Sequence, residues 1–425
     1  LAETFPSLSG AQIVDILFRS ADDLGDPGVD AIYGRGALNI ARALAPIGGL
    51  TVPGTTGLVT LGGTLSAPLG DGGTAIGALA GVEAHDGYGR GYSVNLAGTL
   101  QQAAAGRLAP ALLGQPLQTA SITTPQGSVQ LGWQGDLRGV WAGDRATGAA
   151  LASSQAPVPL PTGQVRLALA GGAELAMGQG VGLAPLLGQA DSAGLISGGL
   201  NALAMVPGAS AALVQHSGGW HWGFGMASAS LAATRGLGAA QSFSWQAQLG
   251  RAWGPLALTG LLAFTDENGS IAGARLSPGF GISGAATSAL GLGWQLGQGP
   301  WALAGDMRVT RTQARLQGGL VSALSPLQGR ALSVALLRGG AFTKGDRLAL
   351  RLAQPWAVAG MVQWAGTDAP LRLGPSGRET VAELDYDLPL AGGFMGLTLF
   401  HRQQPGNIAA APADQGGAVR LRLAW

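Results

Sequence analysis

The chain has no cysteine, which excludes disulfide staples, thiolate nucleophiles and Cys-based zinc sites. A chain without cysteine also suits passage through an oxidising compartment. Lysine is almost as scarce: Lys344 is the only one, so the basic side chains are nearly all arginine. Charged residues make up 11% of the chain, against roughly 25% in an ordinary soluble domain. The net charge of +1 is too small for the electrostatic footprint of a nucleic-acid partner, and none is expected. No basic stretch followed by an apolar run opens the chain at Leu1. Any export signal is therefore expected upstream of that residue.

Long apolar runs are missing too. Ser192–Val214 is free of charge and long enough to cross a bilayer, but glycines, Asn201 and Pro207 break it up. It reads as a linker or as a segment threading a barrel rather than a transmembrane helix. Motifs of catalysis are equally scarce. There is no Gly-x-Ser-x-Gly elbow. Gly34-Arg35-Gly36 neither follows a strand nor continues as a dinucleotide fingerprint. Histidines stand at 85, 216, 221 and 401, none at a metal-binding spacing. His216 and His221, five apart, would point to opposite faces of one strand. His85-Asp86 reads as a solvated glycine-rich turn. No catalytic, cofactor-binding or metal-ligating residue is assigned, and no cofactor is expected.

Glycine is what the chain has in excess, 74 residues, roughly twice the average usage or more. With 47% apolar residues not gathered into runs, this composition fits many short strands joined by glycine-rich turns. No G-X-Y period is present, so collagen is excluded.

Three regions differ in pattern. In residues 1–47, Ser9 is the expected N-cap of a helix with Ile13, Ile16 and Leu17 on one face, stopping near Gly25. A second helix is expected after Gly36, with Leu38, Ile40, Ala41 and Leu44 as its stripe. Residues 48–161 form a Gly-rich β linker or passenger region, with strand candidates at Leu58–Leu61, Tyr92–Leu96 and Ser128–Trp133. Gln101–Leu113 is a possible helix. From 162 to 425 the period is two. Trp220, Trp222, Phe224 and Met226 alternate with His221, Gly223 and Gly225. Leu290, Leu292, Trp294 and Leu296 alternate with small or polar residues, and so do Trp301, Leu303, Met307 and Val309.

The spacing predicts an antiparallel meander of about ten to twelve strands over 162–425, with the fold class mostly β. Nine of the eleven Trp fall between Trp220 and Trp425, many near strand ends, where a membrane barrel places its aromatic girdles. The polar faces carry Gly, Gln, Arg, Glu and Asp, as a lumen would. Glu383 and Asp385, two apart, read as a polar wall, which Glu379 joins if the strand extends back to it. The closing strand alternates Val419, Leu421, Leu423 and Trp425 with Arg420 and Arg422. Its outer residues are expected to face lipid. An antiparallel outer-membrane-type β-barrel is expected over a soluble sandwich.

Two resemblances add to this. The last strand, finishing on Trp425, is similar to the C-terminal strand of bacterial outer-membrane barrels. The first 47 residues resemble the end of a subtilisin-like serine protease domain. The matching residues are Pro6, Leu8, Ser9 and Gln12, then Ser20-Ala21-Asp22-Asp23-Leu24-Gly25, where Ser replaces the usual Thr. Gly28, Asp30, Tyr33-Gly34, Gly36, Leu38-Asn39 and Ala43 follow. The family's Gly-Thr-Ser motif is missing, and Gly54-Thr55-Thr56-Gly57 does not supply it. The resemblance implies that the nucleophile lies upstream of Leu1 and that the tail here is scaffolding. A subtilisin-like domain ahead of a barrel is similar to the serine-protease autotransporters of Gram-negative bacteria, and Asp86–Leu96 looks like a stretch that follows their protease domain.

What this implies is the end of an exported endopeptidase, held at the outer membrane or cell surface. Its partners would be outer-membrane lipid, assembly machinery that reads the last strand, and polypeptide substrates of the missing protease domain. Two other readings remain. One is a non-enzymatic pore or structural barrel, with Arg308, Arg347, Arg351, Glu383, Asp385, Arg420 and Arg422 as lumen charges. The other is a soluble, surface-bound β domain.

Overall fold

The structure is a computed structural model. It describes residues 1–52, 62–101, 118–124, 127–134, 162–189, 208–234, 236–390 and 393–423. The strand candidate at Leu58–Leu61 lies outside them, as does nearly all of Gln101–Leu113.

The chain opens with α1 (Gly10–Ser20), capped by Ser9 in a capping box with Gln12. It ends at Ser20, short of Gly25, because Asp22 pairs with Ala37 and draws the chain back. α2 (Ile40–Leu44) follows, with Asn39 accepting from the Arg42 N–H as its cap. A compact segment comes next. It holds β1 (Gly63–Thr64), α3 (Gly73–Gly77), the hairpin of β2 (Val82–His85) and β3 (Gly91–Val94), and β4 (Leu100–Gln101).

The rest is one large antiparallel sheet. It starts with β5 (Gln118–Thr124), β6 (Gly127–Gln134), β7 (Thr162–Ala168) and β8 (Ala173–Gln179). The short helix α4 (Leu183–Leu186) precedes β9 (Ala209–Ser217), β10 (Trp220–Leu231), β11 (Ala240–Trp253) and β12 (Leu256–Asn268). After β13 (Arg275–Leu276) come β14 (Ile282–Gln298) and β15 (Trp301–Leu316). Beyond β16 (Val321–Leu324) are β17 (Leu327–Gly339) and β18 (Arg347–Trp364). Beyond β19 (Leu371–Leu373) are β20 (Thr380–Leu390), β21 (Gly393–Gln403) and β22 (Asp414–Leu423).

Leaving aside the short β13, β16 and β19, fifteen strands among the described residues follow one another in the sheet. Thirteen of them lie within 162–425, where about ten to twelve were expected. The sheet also begins at Gln118 rather than at residue 162, since β5 and β6 pair with each other and β6 with β7. The order of neighbours is cyclic and sets β22 beside β5. Each strand runs antiparallel to the next. An odd number of them therefore leaves β5 and β22 running in the same direction.

The two ends of the sheet differ. At one end the hairpins are short, as at Gly218-Gly219, Gly254-Pro255 and Gly299-Pro300. At the other, β13, β16 and β19 sit in long connections. One irregularity matters for side-chain direction. The β17–β18 ladder shifts between Arg330 and Leu332, opposite the stretch of β18 that holds Pro355. Proline has no N–H for a ladder and is at home in such a bulge. The extra residue resets the alternation, so that Trp356, Val358, Val362 and Trp364 are all buried.

Candidate functional site

The two faces of the sheet reverse the usual soluble arrangement. Along β10, Trp220, Trp222, Phe224 and Met226 are exposed, whereas Gly223, Gly225, Ala227 and Ala229 are buried. On neighbouring strands Leu262, Leu290, Leu292, Met307, Val309, Leu332, Leu350 and Leu352 are likewise exposed, Leu290 by 60% and Leu352 by 59%. The buried face instead carries Gln246, Gln248, Asp306, Thr310, Ser333, Arg351, Glu383 and Asp385. A contiguous apolar belt of this extent on an outer surface needs something other than water against it.

At the short-turn end the belt is edged with aromatics and arginines. The Arg251 guanidinium lies 4.8 Å from the Trp220 ring centre and 5.3 Å from that of Trp253; Arg338 lies 5.0 Å from Trp301. Such amphipathic pairs suit a boundary between hydrocarbon and headgroups.

The inner face is held by charge pairs. Arg351 is paired with Asp385, which also accepts from the Thr398 hydroxyl at 2.6 Å. Arg402 bridges Glu379 at 2.7 Å and Asp414 at 3.3 Å. Arg308 lies 3.3 Å from Asp306, which accepts from Ser333. Glu383 faces Arg351 in register.

The chain itself covers this face at two levels. After β8, α4 turns onto it, and Leu186 and Leu187 are buried against Ala176, Ala212 and Val214. Gln248 donates to the Leu187 carbonyl at 2.7 Å, and Gln189 bonds to Gln248 and is reached by Arg308 of β15. Small inner residues make the room: a Cβ on Gly223 would stand 2.9 Å from Leu187. Gly223→Leu is expected to dislodge α4 at a cost of about 1–3 kcal/mol. Limited proteolysis in detergent should then cut at residues 183–189 in the variant and not in the parent protein.

The second level lies at the long-loop end. Leu69, Ala75, Leu79, Leu96 and Leu100 pack with Phe280, Leu320, Val358, Val362 and Trp364 in one core. Polar bonds pin this cap. Trp364 donates to the Ala75 carbonyl at 2.9 Å, and Asn407 to those of Ala67 at 3.0 Å and Trp356 at 2.9 Å. β1 pairs with β13.

The cap in turn grips the helical tail. The Arg90 guanidinium, fully buried, is paired with Asp86 at 2.7 Å and donates to the carbonyls of Ala43 and Ala45. Tyr92 donates to the Leu44 carbonyl, and Asp86 accepts from the Ile47 N–H. Burial alone would raise the Asp86 carboxyl. Hydrogen bonds from Arg90 and from the N–H groups of Ile47, Tyr88 and Arg90 outweigh it and hold the carboxyl below its ordinary value. A depressed folded value means stability that is present above about pH 3.9 and is lost as pH falls through the folded value. Protection of residues 43–47 in hydrogen exchange should therefore be full at neutral pH and fall away below about pH 4.

Several expectations are corrected here. Asp86 is not in a solvated turn but buried under Arg90. His216 and His221 do not lie on opposite faces. They flank the Gly218-Gly219 hairpin and pair directly across it, with ring centres 6.0 Å apart. Trp356 and Trp364 belong to no outer girdle; they face inward and hold the cap. Of the expected lumen charges, Arg308, Arg351, Glu383 and Asp385 are on the inner face, and Arg347 shares the parity of Arg351 but is exposed at the strand's end. Val419 and Leu421 are exposed. Trp425 and the side chains of Arg420, Arg422 and Leu423 lie outside the described residues. Among the described residues no helix is long and apolar enough to cross a membrane. Sequence reasoning passed over Arg90, whose only sequence signal was its place four residues after Asp86.

No family model matches the chain, and no curated protein matches it. Among solved structures, the chain is similar to a loop L8 deletion mutant of OmpT, an outer membrane protein of Vibrio cholerae. The TM-score is 0.45 at 9% identity, covering 72% of this chain and 89% of that one. Outer-membrane expressed OmpT of Vibrio cholerae gives 0.39 at 10% identity, covering 70% and 88%. CdiB from Acinetobacter baumannii gives 0.31 at 10% identity, covering 73% and 53%. Identities and scores this low carry no function from those proteins to this chain.

Proposed function

We propose that this chain is an outer-membrane anchor: a β-barrel that sits in the outer membrane of a Gram-negative cell and holds a folded module on its outward side. The observation that carries the reading is the inverted sheet, with a belt of exposed Leu, Val, Met and Trp outside and paired charges inside. Lipid satisfies the belt, and strands meeting at both edges leave no unpaired edge in hydrocarbon. With fifteen strands the seam joins β22 to β5 in parallel. The long connections face outward and the short hairpins face the periplasm, as in other barrels of this kind. The cap and the tail, described over residues 1–52 and 62–101, then stand outside the cell.

The finer reading is that residues 1–47 close a subtilisin-like serine endopeptidase domain and that the barrel is of the autotransporter type. The quoted motif residues support it, and so does the cap's grip on residues 43–47. In this reading the chain carries no catalytic triad, and the last strand is the one read by the assembly machinery. A plain pore is the second reading, favoured by the charged inner wall. The cap and α4 weigh against free conduction.

The test uses the whole chain expressed with an export signal. It should fractionate with the outer membrane and migrate faster on gels before heating than after. It should not label with a fluorophosphonate probe. Periplasmic recovery without a heat-dependent shift would overturn the anchor, and a large, steady conductance in planar bilayers would favour the pore. Probe labelling would overturn the non-catalytic assignment.

A further inference from the structure

Four arginines meet on the outer face at the long-loop end. Arg311 from β15, Arg330 from β17, Arg372 from β19 and Arg378 from the loop before β20 line one cavity of about 1040 Å³. Gln328, Ser376 and Gln404 complete its polar rim, and Leu262, Leu290 and Val309 form its lower wall. None of the four arginines has an ion pair with a carboxylate among the described residues. The nearby acids are engaged elsewhere. Glu379 is held by Arg402 and by the Gly406 N–H, Asp71 accepts from the Ser376 N–H, and Asp266 is paired with Arg315.

Arg378 is the most constrained of the four. It donates to the Arg330 carbonyl at 3.2 Å, and one of its terminal nitrogens is buried without a partner. Burial and the like charge of Arg330 both push its pKa down. A guanidinium cannot escape by losing its proton. Four of them around a cavity are therefore a demand for an anion from outside the chain.

The depth of the cluster says which anion. Trp301 marks the short-turn edge of the apolar belt on β15, and Arg311 lies about ten residues along the same strand. At about 3.3 Å per residue and a tilt near 45°, the separation along the membrane normal is about 23 Å, close to the ~25 Å belt of such barrels. The arginines thus stand at the level of the outer headgroups, with apolar wall beneath them for acyl chains.

We infer that this cavity binds the phosphate groups of an outer-leaflet phosphorylated glycolipid, with Arg311, Arg330, Arg372 and Arg378 on the phosphates and Leu262, Leu290 and Val309 against the acyl chains. Arginine meets phosphate oxygens through two parallel N–H bonds, which gives the site its geometry as well as its charge. The inference rests on the outer-membrane reading.

The test is native mass spectrometry of the full chain in detergent with diphosphoryl lipid A. The variant is Arg311→Gln/Arg330→Gln/Arg372→Gln, which leaves Arg378 in place. The parent should retain one lipid A per chain, and the triple variant should need about a hundredfold more lipid for the same occupancy. Dephosphorylated lipid A should bind the parent as poorly as lipid A binds the variant. Equal retention by parent and variant would overturn the inference, as would equal retention of dephosphorylated lipid. Full competition by inorganic phosphate or by an acidic peptide at the same concentration would also overturn it, by removing the need for a lipid. Heat-dependent migration of the variant in outer-membrane fractions is read separately. If that is lost in the parent as well, the anchor reading fails; if it is kept and lipid A does not bind, only this site fails.

Discussion

Leu292→Arg is expected to stop the chain from accumulating folded in the outer membrane. Leu292 is 48% exposed on the outer face of β14, in register with Met307 of β15 and Gly260 of β12. It lies about halfway between the Trp301 level and the Arg311 level. An arginine at the bilayer midplane of a barrel costs about 2–4 kcal/mol, and much less near either interface. That is a large share of the stability of an ordinary fold, about 5–15 kcal/mol. The contrast is Thr310→Val on the inner face of the adjoining β15. The Thr310 hydroxyl is buried and has no hydrogen-bond partner among the described residues. Its removal takes away a desolvated polar group and should change stability by less than about 1 kcal/mol in either direction. Heat-dependent gel migration of outer-membrane fractions checks both. A normal shift for Leu292→Arg and a lost one for Thr310→Val would reverse the assigned faces.

Arg90→Met should release the helical tail from the cap while leaving the barrel intact. The substitution keeps much of the length but removes every donor. The buried Asp86 carboxylate then has no ion partner, and the carbonyls of Ala43 and Ala45 lose theirs. Breaking one side of a buried pair costs about 3–5 kcal/mol. Limited proteolysis of the folded chain should free a fragment ending between residues 43 and 52, identified by its mass. Asp86→Asn combined with Arg90→Met should lose less than the sum of the two single changes, because each single change strands the other's charge. Unchanged protease resistance for Arg90→Met would show that the tail is held by something other than this clamp.

The period-two pattern made the sheet readable, because one-sided surroundings force alternation on every strand. It also identified the apolar face, from Trp220 to Met226 and from Leu290 to Leu296, and that face is the exposed one. What alternation cannot tell is where a sheet begins. β5 and β6 carry Thr, Ser, Gln and Gly with few large apolar residues, so β5 gave no strand signal, and β6, legible as a strand at Ser128–Trp133, read as part of the linker rather than of the barrel. Parity is just as fragile. A bulge near Pro355 moves Trp356 and Trp364 to the inside, and a one-residue shift is invisible to a count of aromatics near strand ends. His216 and His221 were misplaced for a related reason. A two-glycine turn between them converts a single strand into a hairpin. The Arg90 clamp depends on contacts across some forty-five residues of sequence, with carbonyl oxygens as acceptors, and main-chain acceptors leave no mark on side-chain identity. Ser9 was legible as a helix cap because an N-cap is local; that Gln12 closes the capping box came from the structure.

The most direct test of the membrane barrel uses the absence of cysteine. Each residue from Ala289 to Leu296 can be replaced singly by Cys, spin-labelled, and examined in outer-membrane-like bilayers for collision with oxygen and with a water-soluble nickel chelate. Positions 290, 292, 294 and 296 should favour oxygen, most strongly near 292. Positions 289, 291, 293 and 295 should not. An alternating profile with that phase places the apolar face in lipid. A profile in which the nickel chelate dominates at 290 and 292, or one with no alternation, would contradict the barrel.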